Sequence, residues 1–171
     1  FFKEYWSAGA DTTVSTARLG MANALAGIAV ALLAPVLGEI ADRGSARNRF
    51  LVFFAFLGAV MTASLSMVSR GAWQAAVLVF VLASIGFSGS IVFNDALLLS
   101  VAGERSRERV SALGYALGYL GGGILFALNV AMTVRPHFFG LAGAEEAVRL
   151  SFVTVGVWWG VFTVPLILYV R

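Results

Sequence analysis

The chain has 171 residues, of which 60% are hydrophobic and 12% charged, and its mean hydropathy is +0.89. A soluble domain usually carries about twice that charged share, so a water-soluble globule is excluded. The net charge of +3 comes with no basic block or aromatic–basic interleaving, so no nucleic-acid partner is expected. Cysteine is absent and His137 is the only histidine, which removes disulfides, thiolate metal sites and paired-histidine metal motifs. No cofactor is expected.

The spacing of the charges predicts the fold. Residues 19–38, 50–69, 71–94, 110–134 and 150–170 contain no charged side chain, and these five blocks hold 110 of the 171 residues. A helix needs about 20 apolar residues to cross a bilayer core of about 30 Å. Barrel strands would instead read as alternating segments of about ten residues. The expectation is an all-α membrane protein, a polytopic helix bundle with spans at 19–41, 50–69, 71–101, 110–134 and 150–170, embedded in a lipid bilayer.

Before the first span, Phe1-Phe2-Lys3 shows no methionine and no signal layout. Residues 1–18 are therefore expected to be an outer-side segment following a missing first helix, with Phe1, Phe2, Tyr5 and Trp6 as its interfacial aromatic end. Connection 42–49 holds Arg43, Arg47 and Arg49, connection 103–109 holds Arg105, Arg107 and Arg109, and Arg171 ends the chain. The opposite side holds Lys3, Arg18, Arg70, Arg135 and Arg149. The positive-inside rule places 42–49 and 103–109 in the cytoplasm.

At the end of the first span, Glu39 and Asp42 stand beside Arg43, Arg47 and Arg49. Asp95 follows the longest apolar approach of any acid, about 12 Å from Gly103 along a helix. These charges are expected to converge, because a paired charge is far cheaper at low dielectric. Three roles stay open for the cluster: a static tie between helix ends, a lock that differs between two conformations, or a proton carried by Asp95. Asn94 neighbours Asp95, and Ser84, Ser88 and Asp95 share one face of the third span.

In the fourth span, Ser111, Gly114, Gly118, Gly122 and Asn129 fall on one stripe. Small residues so placed let helices approach closely, so Gly114, Gly118 and Gly122 are expected to pack against a neighbour. A lining role on a solute path is the alternative, and 121–123 is where this helix is expected to bend. Tyr119 lies about 14 Å into the span, near the mid-bilayer depth of transporter ligands. Asn23, Asn94, Tyr115, Tyr119 and Asn129 are the candidates for a solute path, although Asn and Tyr in membranes often bridge helices instead. In connection 135–149, Glu145 and Glu146 suit the first turn of the last helix.

Gly86-Phe87-Ser88-Gly89 resembles the serine motif of rhomboid intramembrane proteases. That chemistry needs a histidine in reach of the serine. His137 lies in a connection, and Ser88 seventeen residues into its span, so their depths disagree by about 15–25 Å.

Gly38-Glu39-Ile40-Ala41-Asp42-Arg43-Gly44-Ser45-Ala46-Arg47-Asn48-Arg49 resembles the G-x-x-x-D-R-x-G-R-[RK] signature of major facilitator superfamily transporters. Gly38, Asp42 and Arg43 fit; the second glycine is displaced to Gly44, and Arg47 or Arg49 takes the arginine place lost at Ala46. Ala34-Pro35-Val36-Leu37-Gly38, Asn94-Asp95-Ala96-Leu97-Leu98 and Ser111-Ala112-Leu113-Gly114-Tyr115 through Gly123 are similar to the vacuole effluxer-like branch, the autophagy-related amino-acid exporters. The resemblance implies that the spans are the second to sixth of twelve helices, with a carboxyl-terminal bundle of the same parent chain as partner. It further implies an alternating-access transporter of a small-molecule substrate, amino acids being the leading class, in a bacterial inner membrane. Under it, Gly38, Asp42, Arg43, Arg47, Arg49 and Asp95 form a conformational gate. No catalytic residue is expected. The other classes are an intramembrane serine protease and a non-transporting scaffold subunit.

Overall fold

The computed structural model describes residues 1–43, 46–101, 103 and 106–169, the side chains of 99–101 excepted. Five long helices carry the chain: α1 (Thr12–Asp42), α2 (Arg47–Ser64), α3 (Trp73–Val101), α4 (Arg107–Val134) and α5 (Ala144–Tyr169). Short helical turns at Phe2–Trp6, Leu65–Met67 and Pro136–Phe139 serve the connections. No strand occurs among the described residues. All five helices are long and apolar enough to cross a membrane, so the protein is an all-α, multi-pass membrane protein.

Four of the five helices begin earlier than their uncharged blocks, and α3 begins at Trp73, two residues inside its own. α1 starts at Thr12, seven residues ahead of the expected 19, because Asp11 caps it: its Oδ1 accepts from the Thr13 and Val14 amides at 2.6 and 3.1 Å. The segment 1–18 therefore divides into a folded lead-in and the first turns of α1. α5 starts at Ala144, with Glu145 and Glu146 in its first turn as expected. Glu146 Oε2 reaches back to accept from the Ala142 amide at 2.7 Å. An uncharged block marks what lipid covers, whereas the helix runs on into the polar interface as long as its end groups are satisfied. α4 continues without interruption through 121–123, so the glycine run makes no break there.

The helices pack in the spatial order α1, α3, α2, α5, α4, with α2 and α3 most intimately joined. Glycines set the closest approaches. A Cβ on Gly86 would fall 2.9 Å from the Phe54 carbonyl and overlap the Gly58 backbone, and one on Gly89 would meet the Phe54 ring at 2.6 Å. A Cβ on Gly156 would meet the Ala59 carbonyl at 2.6 Å, while Gly58 makes room for the Trp159 ring. One buried cluster joins Leu37 and Ala41 of α1, Leu51 and Phe54 of α2, and Phe93 of α3. Phe93 is fully buried, stacked on Phe50 and Phe54 with centroids at 5.3 and 5.8 Å. A second cluster, at the other end, gathers Tyr5, Trp6, Leu65 and Ala76.

Candidate functional site

The charged junction between α1 and α2 is built differently from the expected convergence. Arg43 pairs with Glu39 at 2.5 Å, one turn back on the same helix, with both side chains largely exposed. Arg47 donates from Nε to the Ala41 carbonyl and from Nη2 to the Asp42 carbonyl at 3.2 Å. It thus occupies the orphan acceptors at the carboxyl end of α1, where the helix dipole favours a cation. The short connection dictates this, since Arg47 lies only five residues beyond Asp42. Asp42, Arg43 and Arg49 are exposed, and Gly38 is open to its surroundings, since a Cβ placed on it would meet nothing within 4 Å. Gly44, the displaced signature glycine, lies outside the described residues, as do Arg105 and Arg171.

Asp95 does not join the junction. It is exposed and makes no ion pair or hydrogen bond among the described residues. The cause is rotational. Phe93 is turned onto α2, and a residue two positions on lies about 200° further round the helix. Asp95 therefore points away from α2 and its arginines. Asn94 is exposed as well.

The remaining polar candidates separate. Asn129 bridges two helices: its Oδ1 accepts from the Thr154 hydroxyl of α5 at 3.0 Å. Asn23 donates to the Leu19 carbonyl of its own helix at 2.9 Å and is exposed. Tyr115 and Tyr119 stand 61% and 79% exposed on α4. Nothing lies within 4 Å of a Cβ added to Gly114, Gly118 or Gly122. The packing expected of those three is not made within the described residues; α4 meets α5 at other positions, among them Asn129, bonded to Thr154, and Gly121, facing the Trp158 ring. The close approaches belong instead to Gly58, Gly86, Gly89 and Gly156.

This also accounts for the G-x-S-G sequence in α3. Gly86 and Gly89 are required by the approach of α2, and Ser88 lines the seam between α3 and α1 with Val30, Leu33, Ala34, Leu37 and Val92. The crevice there has a volume of about 10 Å³, the space of one water. His137 sits in the turn between α4 and α5, and among the described residues no hydrogen bond joins it to Ser88.

Exposed amide and acid groups within the spans include Asn23 on α1 and Asn94 and Asp95 on α3, while α4 exposes the hydroxyls of Tyr115 and Tyr119. Beyond Arg49 at its start, α2 exposes the apolar Phe53, Phe56 and Val60, and the body of α5 exposes Val157, Val161 and Phe162. Sequence reading missed Thr154, Trp159 and Arg149, whose partners Asn129, Gly58 and Ser66 lie far away in the chain. No short motif joins such pairs.

A bundle of five membrane-crossing helices with one polar flank is a polytopic helical membrane protein. The chain belongs to the vacuole effluxer Atg22-like family, whose sequence profile matches residues 8–105 and 100–171. It is 38% identical over 172 residues to the uncharacterized MFS-type transporter YxiO of Bacillus subtilis, a match covering 98% of this chain and 40% of that protein. Autophagy-related protein 22-1 of Penicillium rubens is 38% identical over 69 residues, 39% of this chain and 10% of that protein. Autophagy-related protein 22-2 of Aspergillus clavatus is 34% identical over 84 residues, 48% of this chain and 12% of that protein. The chain thus spans well under half the length of these curated relatives. No solved structure matches it significantly.

Proposed function

We propose that this chain is part of a membrane transporter that moves small solutes by alternating access, with α1, α3 and α4 facing the solute path. The observation that carries the reading is where the exposed polar groups fall: Asn23 on α1, Asn94 and Asp95 on α3, and Tyr115 and Tyr119 on α4, against none among the described residues 50–64 of α2 and 150–168 of α5, although apolar side chains are exposed on all five helices. Polar groups at membrane depth are costly against lipid and are retained where they face water or protein. The description of YxiO as an MFS-type transporter and of the family as vacuole effluxer-like supports the same class.

Within this reading, Asn23, Asn94, Tyr115 and Tyr119 contact the solute, and amino acids are the leading substrate class. Gly38, Asp42, Arg43, Arg47, Arg49 and Asp95 form the gate. In this form Arg47 is engaged with the end of α1 and Asp95 faces away from it, so the gate is read as open at this acid. The small-residue face of Gly114, Gly118 and Gly122 meets the remainder of the parent chain. Connections 42–49 and 103–109 face the cytoplasm of a bacterial inner membrane.

The test is uptake by the full-length parent in proteoliposomes, assayed with a panel of amino acids. Asp42→Asn and Asp95→Asn should each lower uptake while leaving membrane insertion unchanged. Normal uptake in both variants would reject the gate. Absence of uptake for every solute in an intact, inserted parent would favour the scaffold class.

A further inference from the structure

The connection between α2 and α3 is short, and three segments remote from it in sequence converge on it. Two of its carbonyls, at Ser66 and Val68 beyond the last residue of α2, accept from side chains remote in the chain. Trp6, from the lead-in to α1, donates its indole N–H to the Val68 carbonyl at 3.4 Å. Arg149, in the second turn of α5, donates from Nε to the Ser66 carbonyl at 2.8 Å. Arg18, on α1, lies 4.5 Å over the ring of Trp73, the first residue of α3. The connection answers in the opposite direction: the Gly71 amide donates to the Tyr5 carbonyl at 3.0 Å. Gly71 can make that turn because it holds φ at +82°.

Apolar contacts seal the same place. Tyr5 and Trp6 are buried with Leu65 and Ala76. The Trp6 ring stacks on Phe152 of α5 at 5.5 Å, and Phe1 meets Phe152 at 6.0 Å.

We propose that residues 65–73 form a clamp hub, a conformational device in which the lead-in strap, α1 and α5 lock this end of the bundle into one cooperative unit. The three arms share one short connection, so releasing any arm loosens the grip of the others. Helices here have no hydrophobic drive to associate with each other in lipid. Specific polar and aromatic contacts of this kind then decide which end of a bundle stays closed. The inference is independent of what the protein carries.

Hydrogen exchange on the full-length parent in nanodiscs tests it, with the amides of 65–73 as reporters and Gly71 the most direct. Arg149→Gln and Arg18→Gln remove one arm each, and Trp6→Phe deletes the N–H donor while leaving a smaller aromatic ring to face Phe152. Each should raise exchange roughly tenfold across 65–73 and also in the two arms left unaltered. Exchange of 48–58, in α2 away from the hub, should not change. Faster exchange confined to the substituted segment, or no change at 65–73, would overturn the proposal. If Trp6→Phe does not fold, the two arginine variants decide it by the same criteria.

Discussion

Asn129 on α4 accepts a hydrogen bond from the hydroxyl of Thr154 on α5 at 3.0 Å. The same hydroxyl lies 3.0 Å from the Ser151 carbonyl, and the Thr133 hydroxyl donates to the Asn129 backbone carbonyl at 2.9 Å. The bond joins two side chains on different helices, and it pins α4 at the end nearest the α4–α5 connection. Interhelical bonds of this kind in membranes contribute about 0.6 to 1.7 kcal/mol.

Thr154→Val keeps the volume and deletes the donor, so it should destabilise the parent by about 1 kcal/mol. Asn129→Leu should cost a similar amount, and the double variant should cost less than their sum because the two share one bond. Thermal unfolding in nanodiscs measures all three. A strictly additive double variant would show that Asn129 and Thr154 do not act on each other.

Glycine substitutions should divide into two groups. Gly86→Val places a side chain against the Gly58 backbone and the Phe54 carbonyl, and Gly156→Val meets the Ala59 carbonyl. Overpacking of this sort costs about 1 to 3 kcal/mol, more where the obstacle is backbone. Gly114→Ala and Gly118→Ala meet nothing among the described residues and should leave the thermal stability of this bundle unchanged or raise it by up to about 1 kcal/mol through helix propensity. Size-exclusion profiles and melting points of the four variants check the division.

The two arginines at the α1–α2 junction should differ in the same way. Arg43 makes an exposed pair with Glu39, and such pairs are worth about 0 to 1 kcal/mol. Arg43→Ala should therefore be close to silent in stability. Arg47 joins two carbonyls at the end of α1, so Arg47→Ala should speed hydrogen exchange in 39–50 well beyond any effect of Arg43→Ala. Equal exchange in the two variants would contradict the capping geometry.

Acid should weaken α1 through Asp11. Its carboxyl is held below the ordinary aspartate value by the Val14 amide first and the Thr13 amide second. A lowered folded-state pKa means that the cap stabilises α1 at neutral pH. The contribution fades as pH falls below the unfolded value and is gone once the folded value is passed. Asp11→Asn keeps a side-chain acceptor but cannot titrate, so exchange of the 13–18 amides should lose its acid dependence. An unchanged acid response in Asp11→Asn would assign the effect to another group.

The uncharged blocks alone determined that five helices are long and apolar enough to cross the membrane, since an unpaired charge is costly in a bilayer core and the core sets the length a helix needs. Local chemistry was legible too: Glu145 and Glu146 open α5 because acids suit a helix amino terminus. Only the tertiary structure decided which face of each helix meets which neighbour. Asp95 and Arg47 stand near one end in sequence terms, yet Phe93 turns α3 so that the acid faces away. Gly118 and Gly86 read alike as small residues in a span, but the first is open and the second lies against the α2 backbone. Rotation about a helix axis is set by partners dozens of residues distant, and in a chain that is apolar on nearly every side the hydrophobic pattern carries no record of it.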